Sequence, residues 1–243
     1  MRPAWNSITL ALVAGLIGAA GFASLERLIP ASGGERARVE GVVHDYLMAH
    51  PEILPAAMDA LRDRGHAETI AANRSAIYTP VGSAWAGSTN PDVTVVEYFD
   101  YNCGYCRASL PTIAALLKSD PKLRIVYRDF PILAQSSIDA ARMSLAAAEQ
   151  GKFQAFHDAL YAGGPVSTQS IAAAAKTAGV DAARAAAYAP RAEQEITSNA
   201  TIARALGMTG TPSWVIGNKV VSSALPLEDL QKAVAEARAA GLK

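Results

Sequence analysis

The chain has 243 residues, half of them apolar, so it can bury one substantial core and still carry a smaller appendage. Its 22 basic and 22 acidic side chains cancel, which excludes the basic excess that phosphate binding requires, and no nucleic acid is expected as a partner. Only two cysteines occur, Cys103 and Cys106, and both sit in a single Cys-x-x-Cys.

In chain order, Arg2 precedes an uncharged run from Ile8 to Ala23, with small residues at Gly21 and Ala23 just ahead of Ser24. Residues 1–25 are therefore read as a signal peptide, or as a membrane anchor if left uncleaved. The run is a little short of the roughly 20 apolar residues a spanning helix needs. Gly15, Gly18 and Gly21 argue against a buried helix in water. The rest of the protein is expected to be periplasmic or otherwise extracytoplasmic, where disulfides persist.

Residues 26–39 are polar, with Pro30, Gly33, Gly34 and three arginines, and read as a linker. From Glu40 to about Arg64 the pattern is helical. Val43, Tyr46 and Leu47 share one face and Leu54, Met58 and Leu61 another, with His50-Pro51 between the two segments. Such a pair is too small to own a core. Residues 40–64 are expected to pack on the main domain or on further copies of themselves, giving a homo-oligomer, so that 26–74 forms a linker and N-terminal helical region.

Thr79 to Asp92, rich in Pro, Gly, Ser and Asn, reads as loop. Val93 to Phe99 is β-branched and aromatic without alternation, as in a strand buried on both faces. After the cysteines, Ala108 to Lys118 reads as a helix and Leu123 to Phe130 as a second strand, closed by Pro131. Ser136 to Ala205 is alanine-rich and helical, punctuated by Gly151, Gly163-Gly164, Gly179 and Pro190. Ser213–Ile216 and Lys219–Val221 make two short strands around Gly217-Asn218, a hairpin turn, and Leu225 to Ala240 closes the chain as a helix. The order is β-α-β, a helical block, then β-β-α.

Two cysteines this close together cannot staple distant segments, so in an exported protein the pair points to chemistry. A helix begins at Cys103, and a helix N-terminus stabilises an anion such as a thiolate. Cys106, one turn on and nearer the interior, can attack a mixed disulfide formed at Cys103. A zinc site needs about four ligands, and His44, His50, His66 and His157 show no ligand spacing. Arg107 stands where haem attachment needs a histidine. No metal ligand set and no cofactor is expected, although Cu(I), which favours two thiolates, stays open as the rival reading.

Three separated motifs carry a resemblance. Glu97-Tyr98-Phe99-Asp100-Tyr101-Asn102-Cys103-Gly104-Tyr105-Cys106-Arg107 resembles the active-site strand and turn of the DsbA-like branch of the thioredoxin superfamily. Tyr127-Arg128-Asp129-Phe130-Pro131 is similar to the next strand of its ScsC-type members, and Gly210-Thr211-Pro212 to the family's cis-proline loop. The segment from His44 through Glu52 also resembles the N-terminal region of ScsC-type proteins, which can oligomerise.

The resemblance covers about 75–243 and implies an α/β thioredoxin fold with a helical insertion over about 136–205. It implies a thiol–disulfide oxidoreductase acting on exported proteins, its Cys-x-x-Cys reset by a membrane redox partner. It makes Cys103 the nucleophile and Cys106 the resolving thiol. Glu97 becomes a buried acid serving Cys106, Pro111 a kink in the active-site helix, and Pro212 a cis residue beside the cysteines. Thr211, Gly104 and Tyr105 would contact substrate. Gly-Tyr between the cysteines, with Thr before the cis proline, looks like the isomerase and reductase members rather than the strong oxidants. Tyr161, Tyr188 and Met208 are read as core ahead of groove, and Trp214 as core.

Overall fold

The computed structural model describes residues 33–242, so the export-signal reading of 1–25 lies outside the described residues. The chain divides into two compact units, Met1–Asp59 and Ala60–Lys243. In the first, helix α1 runs Gly33–Ala49, and α2, Ile53–Ala72, begins after the Pro51 break and continues into the second unit. Helix α1 thus starts inside the stretch whose composition predicts a linker. Its first turns, Glu35 to Glu40, are good helix formers, and Arg36 Nε pairs with Glu40 at 2.9 Å one turn on. Within this unit Val39, Val42, Val43, Tyr46, Met48, Leu54 and Met58 are all exposed.

The second unit holds a five-stranded sheet in the order β1-β3-β2-β4-β5. Its strands are β1 (Trp85–Gly87), β2 (Val93–Phe99), β3 (Leu123–Asp129), β4 (Ser213–Ile216) and β5 (Lys219–Val221). Strands β2 and β3 are parallel, and the other pairings are antiparallel. The central position of β2, buried at every residue, explains its lack of alternation. Strand β1 falls in the stretch whose composition predicts a loop. Three residues are too few to show a period, and its pairing with β3, Trp85 opposite Val126, is what makes it a strand. The β4–β5 turn falls on Gly217-Asn218, and Gly217 takes the positive φ of 60° that the turn demands.

Short helix α3 (Arg74–Tyr78) precedes the sheet, the active-site helix α4 (Gly104–Ser119) joins β2 to β3, and α9 (Leu227–Ala239) closes the chain. Between β3 and β4 lie four helices: α5 (Gln135–Glu149), α6 (Phe153–Ala162), α7 (Thr168–Ala178) and α8 (Ala182–Ala205). Helix α8 runs through Pro190 rather than breaking there. Ala192 and Ile196 pack on Ala141 and Leu145 of α5 and hold it in place.

The sheet has a core on each face. Val95, Phe99, Tyr127, Trp214 and Ile216 meet α4, α6 and α9. Val96, Tyr98, Val126 and Val215 meet Ile70, Ile77 and Ile202. Buried Arg128 extends to the second side and donates to the carbonyls of Ile77 and Thr79, tying α3 to β3.

Candidate functional site

The site forms where β2 ends and α4 begins. Cys103 is the N-cap of α4, with extended backbone (φ −78°, ψ 115°), and its Sγ accepts the Cys106 amide N–H at 3.4 Å. This is the free donor that every helix start leaves over, here satisfied by sulfur. The Cys103 thiol donates to the Thr211 carbonyl at 3.0 Å. Cys106 lies one turn further, 1 % exposed against 6 % for Cys103. Burial, and the nearby Glu97 charge, push the Cys106 thiol far above the usual range.

Glu97 occupies the middle strand, in register with Tyr127 on one side and Trp214 on the other. The alternation of β2 puts it on the α4 face of the sheet, beneath the cysteines. Its burial without a cation pushes the carboxyl up to about 8. The Thr211-Pro212 bond is cis. The Thr211 hydroxyl is buried and has no hydrogen-bond partner among the described residues. Beside Thr211 a groove of about 390 Å³ is lined by Tyr105, Gly210, Thr211, Ser222, Ser223 and Ala224. Tyr105 stands 71 % exposed at its edge, and a Cβ added at Gly104 would meet nothing within 4 Å.

All seven anticipated residues, Glu97, Cys103, Gly104, Tyr105, Cys106, Thr211 and Pro212, therefore gather at this end of the sheet. Pro111 lies inside α4. Tyr161 and Met208 are buried in the two main cores, Tyr188 packs half-buried on the α5–α8 cluster, and none of the three lines this groove. Trp214 is core, its Nε1 donating to the Ser223 carbonyl at 3.0 Å.

The surroundings hold polar residues that sequence reasoning did not single out. Asp100, before the cysteines, accepts the Asn102 amide at 2.8 Å; this is an Asx turn whose Asp-x-Asn spacing was a usable signal. Buried Tyr101 reaches Ser144 Oγ at 3.1 Å and His157 Nδ1 at 3.2 Å, and Ser144 donates to Asp129 at 3.2 Å. Burial holds His157 down to about 3 and pushes Asp129 well up. Arg107 donates to the Tyr161 and Gly164 carbonyls, clamping α4 to the end of α6. These contacts link residues far apart in sequence, which no local pattern exposes.

A thioredoxin-like sheet with two thiols at a helix start, facing a cis-proline loop, defines a thiol–disulfide oxidoreductase. Residues 94–235 match the DSBA-like thioredoxin domain, and residues 35–68 match the copper resistance protein ScsC N-terminal domain. The chain belongs to the DsbA-like family.

A thioredoxin-like oxidoreductase from Silicibacter pomeroyi DSS-3 is 38 % identical, with a TM-score of 0.65, over 69 % of this chain and 98 % of that one. The thiol-disulfide exchange protein alpha-DsbA2 from Wolbachia pipientis is 31 % identical, with a TM-score of 0.63, over 72 % and 97 %. Proteus mirabilis ScsC in a transitional conformation is 25 % identical, with a TM-score of 0.64, over 87 % and 98 %. An 81-residue stretch is 41 % identical to Na(+)/H(+) antiporter NhaA 3 of Salinispora tropica, and the chain spans 12 % of that protein's length. No helix among the described residues is long and apolar enough to cross a membrane.

Proposed function

We propose that this protein is an exported enzyme that exchanges disulfides with protein clients through Cys103 and Cys106. The observation that carries the reading is the asymmetry of the pair. Cys103 caps the helix with its sulfur 3.0 Å from the Thr211 carbonyl, while Cys106 lies buried behind it above Glu97. The Cys103 thiolate attacks a client disulfide, bonding to one sulfur and expelling the other as a thiolate. In molecules whose Glu97 is ionised, Cys106 then gives its proton to that carboxylate and attacks the Cys103 sulfur. The Cys103–Cys106 disulfide forms and the client leaves with two thiols, having gained two electrons. If a client thiol attacks the mixed disulfide first, the client is reshuffled and the protein returns to its dithiol form. Thr211 presents its backbone, and Gly104 and Tyr105 their open surface, to the client chain.

The isomerase and reductase direction is supported by Gly104-Tyr105 between the cysteines and by Thr211 before Pro212. A membrane redox partner would reset the pair. The exposed apolar faces of α1 and α2 support self-association, which would set several Cys103 centres around one client. Measuring the reduction potential of the Cys103–Cys106 pair, alongside rescue of scrambled ribonuclease, tests the direction. A potential as high as that of the strong oxidants, with no rescue, would overturn it. Cu(I) binding by the two thiolates is the second reading, supported by the copper-resistance description of the family matched by residues 35–68. Loss of Cu(I) binding in both single Cys→Ala variants would support it.

A further inference from the structure

Among the described residues from Ser75 on, three large apolar side chains are exposed: Tyr105, Ile132 at 43 % and Leu133 at 54 %. Tyr105 follows Cys103 at the Thr211 groove. Ile132 and Leu133 do not line that groove; they sit in the loop after β3, and one buried side chain determines where that loop lies. The Phe130 amide still reaches the Phe99 carbonyl at 2.8 Å, and Pro131 then ends the strand pairing because it has no N–H. The next two amides, of Ile132 and Leu133, both donate to Asp100 Oδ2, at 2.9 and 3.0 Å.

Asp100 is itself 2 % exposed and is tied to the cysteines on every side. Its Oδ1 accepts the Asn102 amide at 2.8 Å. Its carbonyl accepts the Cys103 amide at 3.0 Å and the Tyr161 hydroxyl at 3.2 Å. The carboxylate thus satisfies three main-chain donors, two from the apolar loop and one from the catalytic loop. A carboxyl group accepts at both oxygens; an amide offers one oxygen and turns its NH₂ against the remaining donors.

We infer that Asp100 is a positioning residue that holds Ile132 and Leu133 as an apolar lip beside Cys103, so that the site selects extended client segments carrying apolar residues next to the cysteine. The inference rests on the proposed exchange at Cys103 and adds to it the class of client segment and the residue that fixes the contact. Tyr105 and the lip are then the exposed apolar groups that the site offers to such a segment. An unfolded chain offers such segments and a native surface does not, because folded proteins bury their apolar side chains.

The test uses the full chain in its reduced form and two short peptides, each bearing a cysteine in mixed disulfide with glutathione. One has Leu and Val beside the cysteine, the other Ser and Asn. Single-turnover second-order rate constants are measured for both, and the readout is their ratio. The wild type should prefer the apolar peptide by about tenfold, which corresponds to covering roughly 60 Å² of apolar surface at about 25 cal/mol per Å². D100N should bring the ratio to within about twofold of unity. So should the I132S/L133S double variant, whose side chains are exposed and whose fold is not at stake. Combining all three changes should lower the ratio no further, since they break one contact.

A ratio preserved in I132S/L133S, or rate losses in D100N that are equal for both peptides, would overturn the inference. In the second case Asp100 would be supporting the fold or the chemistry of the thiols alone. A wild type that exchanges with both peptides equally also sinks it while leaving the proposed function standing. A wild type that reacts with neither sinks the proposed function itself.

Discussion

Replacing Glu97 with glutamine separates two consequences of one buried carboxyl. Burial raises this group from 4.5 to about 8. At about 1.4 kcal/mol per tenfold change in proton affinity, the ionised form costs about 5 kcal/mol in the folded protein. The unfolded chain releases the Glu97 proton near pH 4.5, and the folded chain keeps it until about pH 8. Across that window the folded state binds more protons, so the stability this group contributes is full below the window and is lost as pH rises through it. Glutamine does not titrate. The stability of E97Q relative to wild type should therefore climb by about 1.4 kcal/mol per pH unit between roughly pH 5 and 8 and level off beyond. Denaturant unfolding of both reduced proteins at a series of pH values measures it. Parallel stability curves would mean that burial does not raise the Glu97 carboxyl, and its assignment as the group that exchanges a proton with Cys106 near neutral pH would fall with that. The same variant should slow formation of the Cys103–Cys106 disulfide from a mixed disulfide while leaving the first attack by Cys103 in place.

Changing Cys106 to Ala should leave Cys103 carrying client proteins as stable mixed disulfides, seen on non-reducing gels and lost on adding reductant; C103A should trap none. His157, held near 3 where its usual value is 6.5, gives the opposite pH dependence to Glu97. Between those values the unfolded chain binds the extra proton, so the contribution of His157 to stability rises with pH there, and the stability of H157F relative to wild type, measured by the same unfolding series, should fall correspondingly. Light scattering on residues 26–243 beside residues 60–243 should show association in the longer chain alone; two monomers at micromolar concentration would mean that the apolar faces of α1 and α2 have some other cover.

What could be read from the sequence was whatever one segment dictates alone. Val93 to Phe99 declares a central strand because it is β-branched and aromatic without alternation, and the β4–β5 hairpin declares itself through Gly217-Asn218. The cysteines, Glu97 and the Thr211-Pro212 loop were legible through motif and resemblance, and the fold brings them together. Strand β1 was not legible, since its strand character is supplied by β3. The continuity of α8 through Pro190 was not either, because packing on α5 outweighs a local breaker. Asp100 stood in plain view within the motif. Its importance lies in the amides of Ile132 and Leu133, some thirty residues on, which only the folded chain brings to it.

The two thiols stand one helical turn apart in opposite surroundings, and that opposition bears on the direction of exchange. Cys103 takes the helix-start N–H of Cys106 and has the positive end of α4 behind it. At Cys106 both burial and an ionised Glu97 oppose negative charge. Where Glu97 is ionised, the Cys106 proton can therefore leave readily only by moving onto it, which keeps a single negative charge in the pocket during the transfer. In the proposed mechanism this makes resolution wait on a proton transfer even though the attacking sulfur is already adjacent. A mixed disulfide that waits at Cys103 gives a second client thiol time to attack it, and reshuffling requires that interval. An enzyme built only to discharge its disulfide into clients gains nothing from such a delay. In the proposed reading, the buried setting of Cys106 joins Gly104-Tyr105 and Thr211 as support for isomerisation and reduction.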